Sequence, residues 1–234
     1  MAPPLVLLPA MLCDERLYGS QAQALRDLVE PLPLVVAEAD LAAAVDVVLQ
    51  QAPARFVLAG TSYGGNLALE VARAAPARVL GLWLMGCNPG LPGDADAGRS
   101  RSRRVQAGEF EAVLEELASG IVNPDGPRGA AAGGTFRTMA RSLGPTVFLR
   151  QNTSLLGRHD RRDSLAGITC PTLLLWGRQD QFCGLAHACL MASRIPRSDL
   201  VVLDRCGHLP TLEQPEAATD AARSWLLRDI GAMR

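Results

Sequence analysis

Short apolar runs recur along the chain, separated by stretches whose apolar residues follow helical spacing. Leu5-Val6-Leu7-Leu8, Leu34-Val35-Val36, Phe56-Val57-Leu58-Ala59 and Leu80-Gly81-Leu82-Trp83-Leu84 come first. Thr172-Leu173-Leu174-Leu175-Trp176 and Leu200-Val201-Val202-Leu203 follow near the C-terminus. Each run is short and almost unbroken, as expected of strands buried on both faces of a parallel sheet. Helical patterns fall between them at about 20–30, 41–51, 65–75, 184–194 and 215–229. The alternation predicts an α/β fold, a mostly parallel sheet with helices on both faces and right-handed crossovers.

One stretch breaks the rhythm. From Asn88 to Ile168 no strand-like run occurs. A loop rich in Gly, Pro, Asp and Arg (Pro89 to Arg104) precedes a helix with Phe110, Val113, Leu114 and Leu117 on one face. A Gly/Ala/Pro loop from Asn123 to Gly134 then leads to two helical segments parted near Gly144-Pro145, carrying Phe136, Met139, Leu143, Phe148 and Leu149. The expected organisation is a core of residues 1–87 and 169–234 with a helical lid insertion at 88–168. The alternative is a helical subdomain with no gating role.

Composition narrows the chemistry. A chain of 234 residues, 48% apolar, suits one sizeable domain. A net charge of -1 gives no reason to expect nucleic acid or an acidic membrane as partner. All 23 basic residues are arginine. Without lysine there is no Schiff-base chemistry, no pyridoxal-phosphate anchor, no Walker-type phosphate loop and no kinase β3 lysine. Any histidine base must be His159, His187 or His208.

The six cysteines contain no Cys-x-x-Cys pair and read as free, mostly buried thiols of a cytoplasmic protein. Cys183, His187 and Cys189 have helix-face spacing but lack the second ligand pair usual for zinc, so no metal is expected. Pro4 to Leu12 is apolar but lacks the basic start and cleavage site of a signal peptide, and no run reaches bilayer-spanning length. A soluble protein without a membrane partner is expected.

The strand-like run Phe56–Ala59 enters Gly60-Thr61-Ser62-Tyr63-Gly64-Gly65, and a helical stretch follows at once. A nucleophilic serine projecting from a sharp strand-to-helix turn needs this Gly-x-Ser-x-Gly spacing, because the residues two before and two after it nearly touch. The helix then aims its first N–H groups, that of Tyr63 foremost, at a developing oxyanion. Ser62 needs an imidazole to take its proton. His208 lies on a loop beyond the last predicted strand, whereas His159 sits in a charged turn and His187 within a helix. Asp180, just past the run Thr172–Trp176, is the preferred carboxylate partner for the imidazole. Asp204 is the competitor, but at four residues before His208 its side chain is poorly placed to cross to the ring. The chain order Ser62, Asp180, His208 is that of one particular triad fold.

These residues resemble the α/β-hydrolase fold family. The resemblance is carried by Leu58 to Gly65, by Cys170-Pro171-Thr172-Leu173-Leu174-Leu175-Trp176-Gly177-Arg178-Gln179-Asp180, and by Cys206-Gly207-His208-Leu209 with Glu213-Gln214-Pro215-Glu216 after it. Within the family the chain is most similar to small bacterial esterases and thioesterases with a helical lid, including carrier-protein methyl esterases of the biotin pathway. The resemblance implies a serine hydrolase that cleaves a carboxylic ester or thioester through an acyl-enzyme, with no cofactor. It also places catalysis on Ser62, Asp180 and His208. Two departures stand out. Family members carry His-Gly after the first strand, where this chain reads Leu8-Pro9-Ala10-Met11-Leu12, so the second oxyanion donor becomes the amide of Met11, with Leu12 as alternative. The Gly-rich loop after the second strand is also missing, which leaves the mouth wider on that side or covered by the lid alone.

Substrate specificity is less legible. Phe110, Phe136, Met139, Phe148 and Leu209 are the candidate pocket residues, with helix-core packing as the competing explanation of the same spacing. Arg99, Arg101, Arg103 and Arg104 either meet a carboxylate or an acidic carrier protein, or form a solvated charge run. The expected partner is a small acyl substrate, free or carrier-bound, acted on by a monomer or homodimer. Carbon–carbon bond hydrolysis, lyase or cyclase chemistry, perhydrolysis and non-catalytic ligand reception stay open on the same fold.

Overall fold

A computed structural model describes residues 2–231. Six strands form one sheet: β1 (Pro4–Leu8), β2 (Glu30–Pro33), β3 (Phe56–Thr61), β4 (Val79–Met85), β5 (Thr172–Gly177) and β6 (Ser198–Leu203). Their order is β2-β1-β3-β4-β5-β6 and every pairing is parallel. Alternation along each strand sends side chains into two separate cores. Leu5, Leu7, Val57, Ala59, Trp83 and Leu173 enter one, and Val6, Leu8, Leu58, Leu82, Leu84 and Leu174 the other. A sheet covered on both faces has no solvent side, which is why its strands read as unbroken apolar runs.

Helices α1 (Gly19–Ala24), α2 (Leu41–Gln51) and α3 (Tyr63–Ala74) lie in the N-terminal half. The segment between β4 and β5 holds α4 (Ala95–Gln106), α5 (Phe110–Ile121) and α6 (Gly129–Leu156). Near the C-terminus come α7 (Leu185–Arg194), α8 (Pro210–Glu213) and α9 (Pro215–Trp225). The α2, α3 and α7 helices cover one face of the sheet, and α9 covers the other. The core of α5 and α6 is continuous with that second face, through Leu114, Leu117, Phe136 and Met139.

Four expectations shift. The second strand is Glu30–Pro33, not Leu34–Val36. It is an edge strand, where Pro31 and Pro33 are tolerated because one side needs no ladder hydrogen bond. Val36 is apolar because it packs in the core, not because it pairs in the sheet. The helix expected at 20–30 is confined to Gly19–Ala24.

Residues expected as loop up to Arg104 instead form α4, capped by the Asp94 side chain on the Ala97 amide at 2.8 Å. This helix buries only Gly98 and Val105, so it carries no apolar period. Ion pairs hold it instead, Arg101 and Arg104 to Glu116 at 2.8 and 2.6 Å. The loop expected to run to Gly134 gives way to helix at Gly129. The break near Gly144-Pro145 is present, with Gly144 at φ 78° inside α6. Among the described residues no helix is long and apolar enough to cross a membrane.

Candidate active site

The turn from β3 into α3 puts Ser62 at φ 54°, ψ -111°, a strained region for a residue with a side chain. Its amide donates to the Met85 carbonyl at 2.8 Å, which fixes the turn to the end of β4. The two glycines have a steric cause. A Cβ on Gly60 would lie 2.3 Å from the Gly64 carbonyl oxygen, and one on Gly64 would lie 2.0 Å from that of Leu8. Tyr18, fully buried, braces the turn from beneath. Its hydroxyl is 2.7 Å from Thr61 Oγ1 and donates to the Leu8 carbonyl at 3.1 Å. Burial raises its phenol pKa far above the usual range. Sequence reasoning gave Tyr18 no role, because its partners, Leu8 and Thr61, lie on β1 and β3 and meet it only in the folded chain.

His208 and Asp180 converge from the loops after β6 and β5. His208 Nδ1 and Asp180 Oδ2 are 2.8 Å apart, with both side chains buried. The other carboxylate oxygen of Asp180 accepts the amides of Phe182 and Cys183, each at 2.8 Å. The Asp180 carboxyl group is thus held in one orientation, with one oxygen left for the imidazole. Asp204 points elsewhere. It is exposed and pairs with Arg178. His159 is exposed, and His187 lies on α7 with Nδ1 3.3 Å from the Gly184 carbonyl.

Ser62 and His208 line one cavity of about 30 Å³, together with Ala10, Met11, Leu117, Ile121, Phe136 and Phe182. Of the five residues named for substrate binding, Phe136 lies in this lining. Met139, Phe148 and Leu209 are fully buried in the core behind it, and Phe110 packs partly buried against that core. Sequence reasoning missed Phe182, whose ring centroid lies 5.2 Å from that of His208 while its side chain remains 42% exposed. Its place two residues after Asp180 is the signal that was available.

The loop after β1 turns tightly, with the Cys13 amide donating to the Ala10 carbonyl at 3.0 Å and Leu12 at φ 59°. The Leu12 amide is occupied, donating to Gln151 Oε1 at 2.9 Å. Among the described residues the Met11 amide has no acceptor, and Met11 faces the Ser62 cavity. Tyr63 opens α3, so its N–H has no acceptor within the helix. The mouth beside the missing Gly-rich loop is covered by α6, where Gln151 Nε2 donates to the Val36 carbonyl at 2.8 Å.

The basic run of α4 is largely internally paired. Arg99 meets Asp96, Arg101 meets Glu116, and Arg104 meets Glu109 and Glu116. Cys183 and Cys189 are free thiols.

Comparison with known proteins adds four findings. A family model described as the Alpha/beta hydrolase family matches residues 16–222. The pimeloyl-[acyl-carrier protein] methyl ester esterase of Nitrosomonas europaea is 27% identical over 179 residues, 73% of this chain and 71% of that protein. The protein of the same name from Legionella pneumophila is 28% identical over 184 residues, 72% of this chain and 69% of its own length. Among solved structures, a thermophilic esterase from Thermogutta terrifontis superposes with a TM-score of 0.88 at 26% identity, covering 97% of this chain and 90% of that one.

Proposed function

This chain belongs to the alpha/beta hydrolase family, and from that premise we propose that it is a serine esterase working through an acyl-enzyme on Ser62. The carrying observation is the meeting of a strained Ser62 and His208 in one cavity, with the imidazole held through Nδ1 by a fully engaged Asp180.

In this reading His208 Nε2 takes the Ser62 hydroxyl proton as Oγ bonds to the carbonyl carbon of a carboxylic ester or thioester. The carbonyl π-electrons move onto oxygen, where the amides of Tyr63 and Met11 receive the charge. Collapse expels the alkoxide or thiolate, which takes the proton from the imidazolium. Water, deprotonated by His208, then attacks the acyl-enzyme and releases the acid and Ser62. Asp180 keeps its charge throughout, orients the ring and stabilises the imidazolium.

Residues 88–168 act as a lid over a core of residues 1–87 and 169–234. A cavity of about 30 Å³ has room for only about two water molecules. Substrate entry therefore requires α5, which supplies Leu117 and Ile121, or the Phe182 ring to move. The apolar lining favours an uncharged group beside Ser62, such as the alkyl of a small ester.

A carrier-bound acyl methyl ester is the second reading, favoured by the names of the relatives. The pairing of Arg101 and Arg104 with Glu116 leaves Arg103 as the cation of that run nearest to unengaged. Hydrolysis of a carrier-bound ester that falls with salt, while small-ester hydrolysis does not, supports this second reading.

The test is labelling by a fluorophosphonate probe together with turnover of a p-nitrophenyl ester and acyl-thioester chain-length series. Both activities vanish in Ser62→Ala. Labelling that survives in that variant refutes the proposal.

A further inference from the structure

Glu213, at the end of α8, is fully buried. Its Oε2 accepts the amides of Gly207 at 2.7 Å and Asn123 at 2.8 Å, and its Oε1 accepts that of Leu209 at 3.0 Å. The amide between them, that of His208, donates to the Ile121 carbonyl at 3.0 Å. Three consecutive N–H groups around the imidazole are therefore all engaged. Two go to one carboxylate and the middle one to the last residue of α5. The same carboxylate also grips the chain two residues beyond α5.

A buried carboxylate is costly unless hydrogen bonds replace its water, and three amides do so here. Burial raises the Glu213 carboxyl above its ordinary range, while the Asn123, Gly207 and Leu209 amides and the nearby His208 oppose that rise. The ionisable groups in and around this loop are His208, Asp180, Cys206, Arg205, which donates to the Asp125 carbonyl, and Asp204, which is paired with Arg178. The Cys206 thiol is raised by burial and by the Glu213 and Asp180 carboxylates.

We infer that Glu213 is a positioning residue for the acyl-transfer reaction, fixing the His208 loop against the end of α5 and lending negative charge to the imidazolium. This inference rests on the reading of Ser62, Asp180 and His208 as the reacting set. Glutamine at 213 fills the same volume but replaces one acceptor by a donor that faces amide N–H groups. The loop must then reorient, and the anion beside the imidazole is lost. Aspartate keeps the charge but falls short of reaching all three amides.

The experiment follows kcat and KM of a p-nitrophenyl ester against pH for the wild type, Glu213→Gln, Glu213→Asp and Ser62→Ala, with thermal melts of each. For Glu213→Gln, kcat falls roughly 10- to 100-fold with KM held within about twofold. The acid limb of its kcat/KM profile moves down by about half a unit to one unit, because the imidazole loses a stabilising anion. For Glu213→Asp, kcat falls while the acid limb stays in place. Wild-type kcat in Glu213→Gln, or a reduced kcat with an unmoved acid limb, overturns the inference. If Glu213→Gln does not melt cooperatively, Glu213→Asp decides, and wild-type kcat there overturns it. A wild-type enzyme whose turnover does not depend on Ser62 overturns the triad reading itself, a result distinct from any change at position 213.

Discussion

The amide of Leu12 donates to Oε1 of Gln151 at 2.9 Å, joining the loop after β1 to the C-terminal half of α6. Gln151 is buried and spends its other end on the Val36 carbonyl at 2.8 Å. One side chain therefore fixes the turn that presents the Met11 amide and closes the side where a longer loop is missing. It also separates the two candidate oxyanion donors, since the Leu12 N–H is engaged. Replacing Gln151 by Ala leaves a buried N–H and a buried carbonyl without partners, which costs about 1–3 kcal/mol for each. Urea denaturation should report the loss in stability. Ester kinetics should show kcat falling about tenfold as the Met11 amide loses its fixed aim.

Gly86 is a second position set by the assembled site. It lies just past β4 at φ +53°, and a Cβ there would sit 2.8 Å from both Cε1 and Nδ1 of His208 and 3.2 Å from Asp180 Oδ2. Gly86→Ala therefore displaces the imidazole, and it also places a side chain in left-handed backbone at a cost of about 1–2 kcal/mol. The expected loss in kcat/KM is roughly 100-fold. Measuring it beside the fluorophosphonate labelling rate of Ser62 checks the cause, because both reactions need the base and must slow together.

Phe182 lies beside His208, its ring tilted 45° to the imidazole, and is exposed to solvent. Its truncation to Ala opens the small cavity outward. Across a p-nitrophenyl ester series the ratio of kcat/KM for longer over acetyl esters is expected to rise by about tenfold. A ratio equal to that of the wild type would falsify a gating role for this ring.

Thiol chemistry gives a prediction independent of catalysis. Burial pushes Cys87 up to about 12 and Cys170 up to about 11, and lifts Cys13, Cys183 and Cys206 well above their ordinary value. A group with pKa near 11 is only ~0.1% thiolate at pH 8, and the thiolate is the reactive form. Cys189 is the exposed thiol. Iodoacetamide at pH 8 should add one group rapidly to the folded protein, at Cys189, and six in denaturant. Peptide mass spectrometry locates the adducts, and rapid native modification of Cys87 contradicts the buried arrangement.

Pattern along the chain is enough to mark five of the six strands, all but the edge strand β2, and the turn after β3. Runs such as Phe56–Ala59 and Thr172–Trp176 are unbroken because both sheet faces are buried, so composition alone marks them. The need for glycine at 60 is local, since its Cβ would meet Gly64 four residues on, whereas a Cβ on Gly64 would meet Leu8 on β1, a contact only the folded chain makes. The α4 helix escaped notice because ion pairs, not an apolar face, hold it. Tertiary structure decided whatever depends on partners remote in sequence. Only the folded chain brings Gln151 to Leu12, Gly86 to His208, and Glu213 to both the His208 loop and Asn123. It also separated Phe136, which lines the cavity, from Met139 and Phe148, which have the same apolar character but fill the core. Periodicity tells which face of a helix is buried. What that face is buried against is settled only when the other elements arrive.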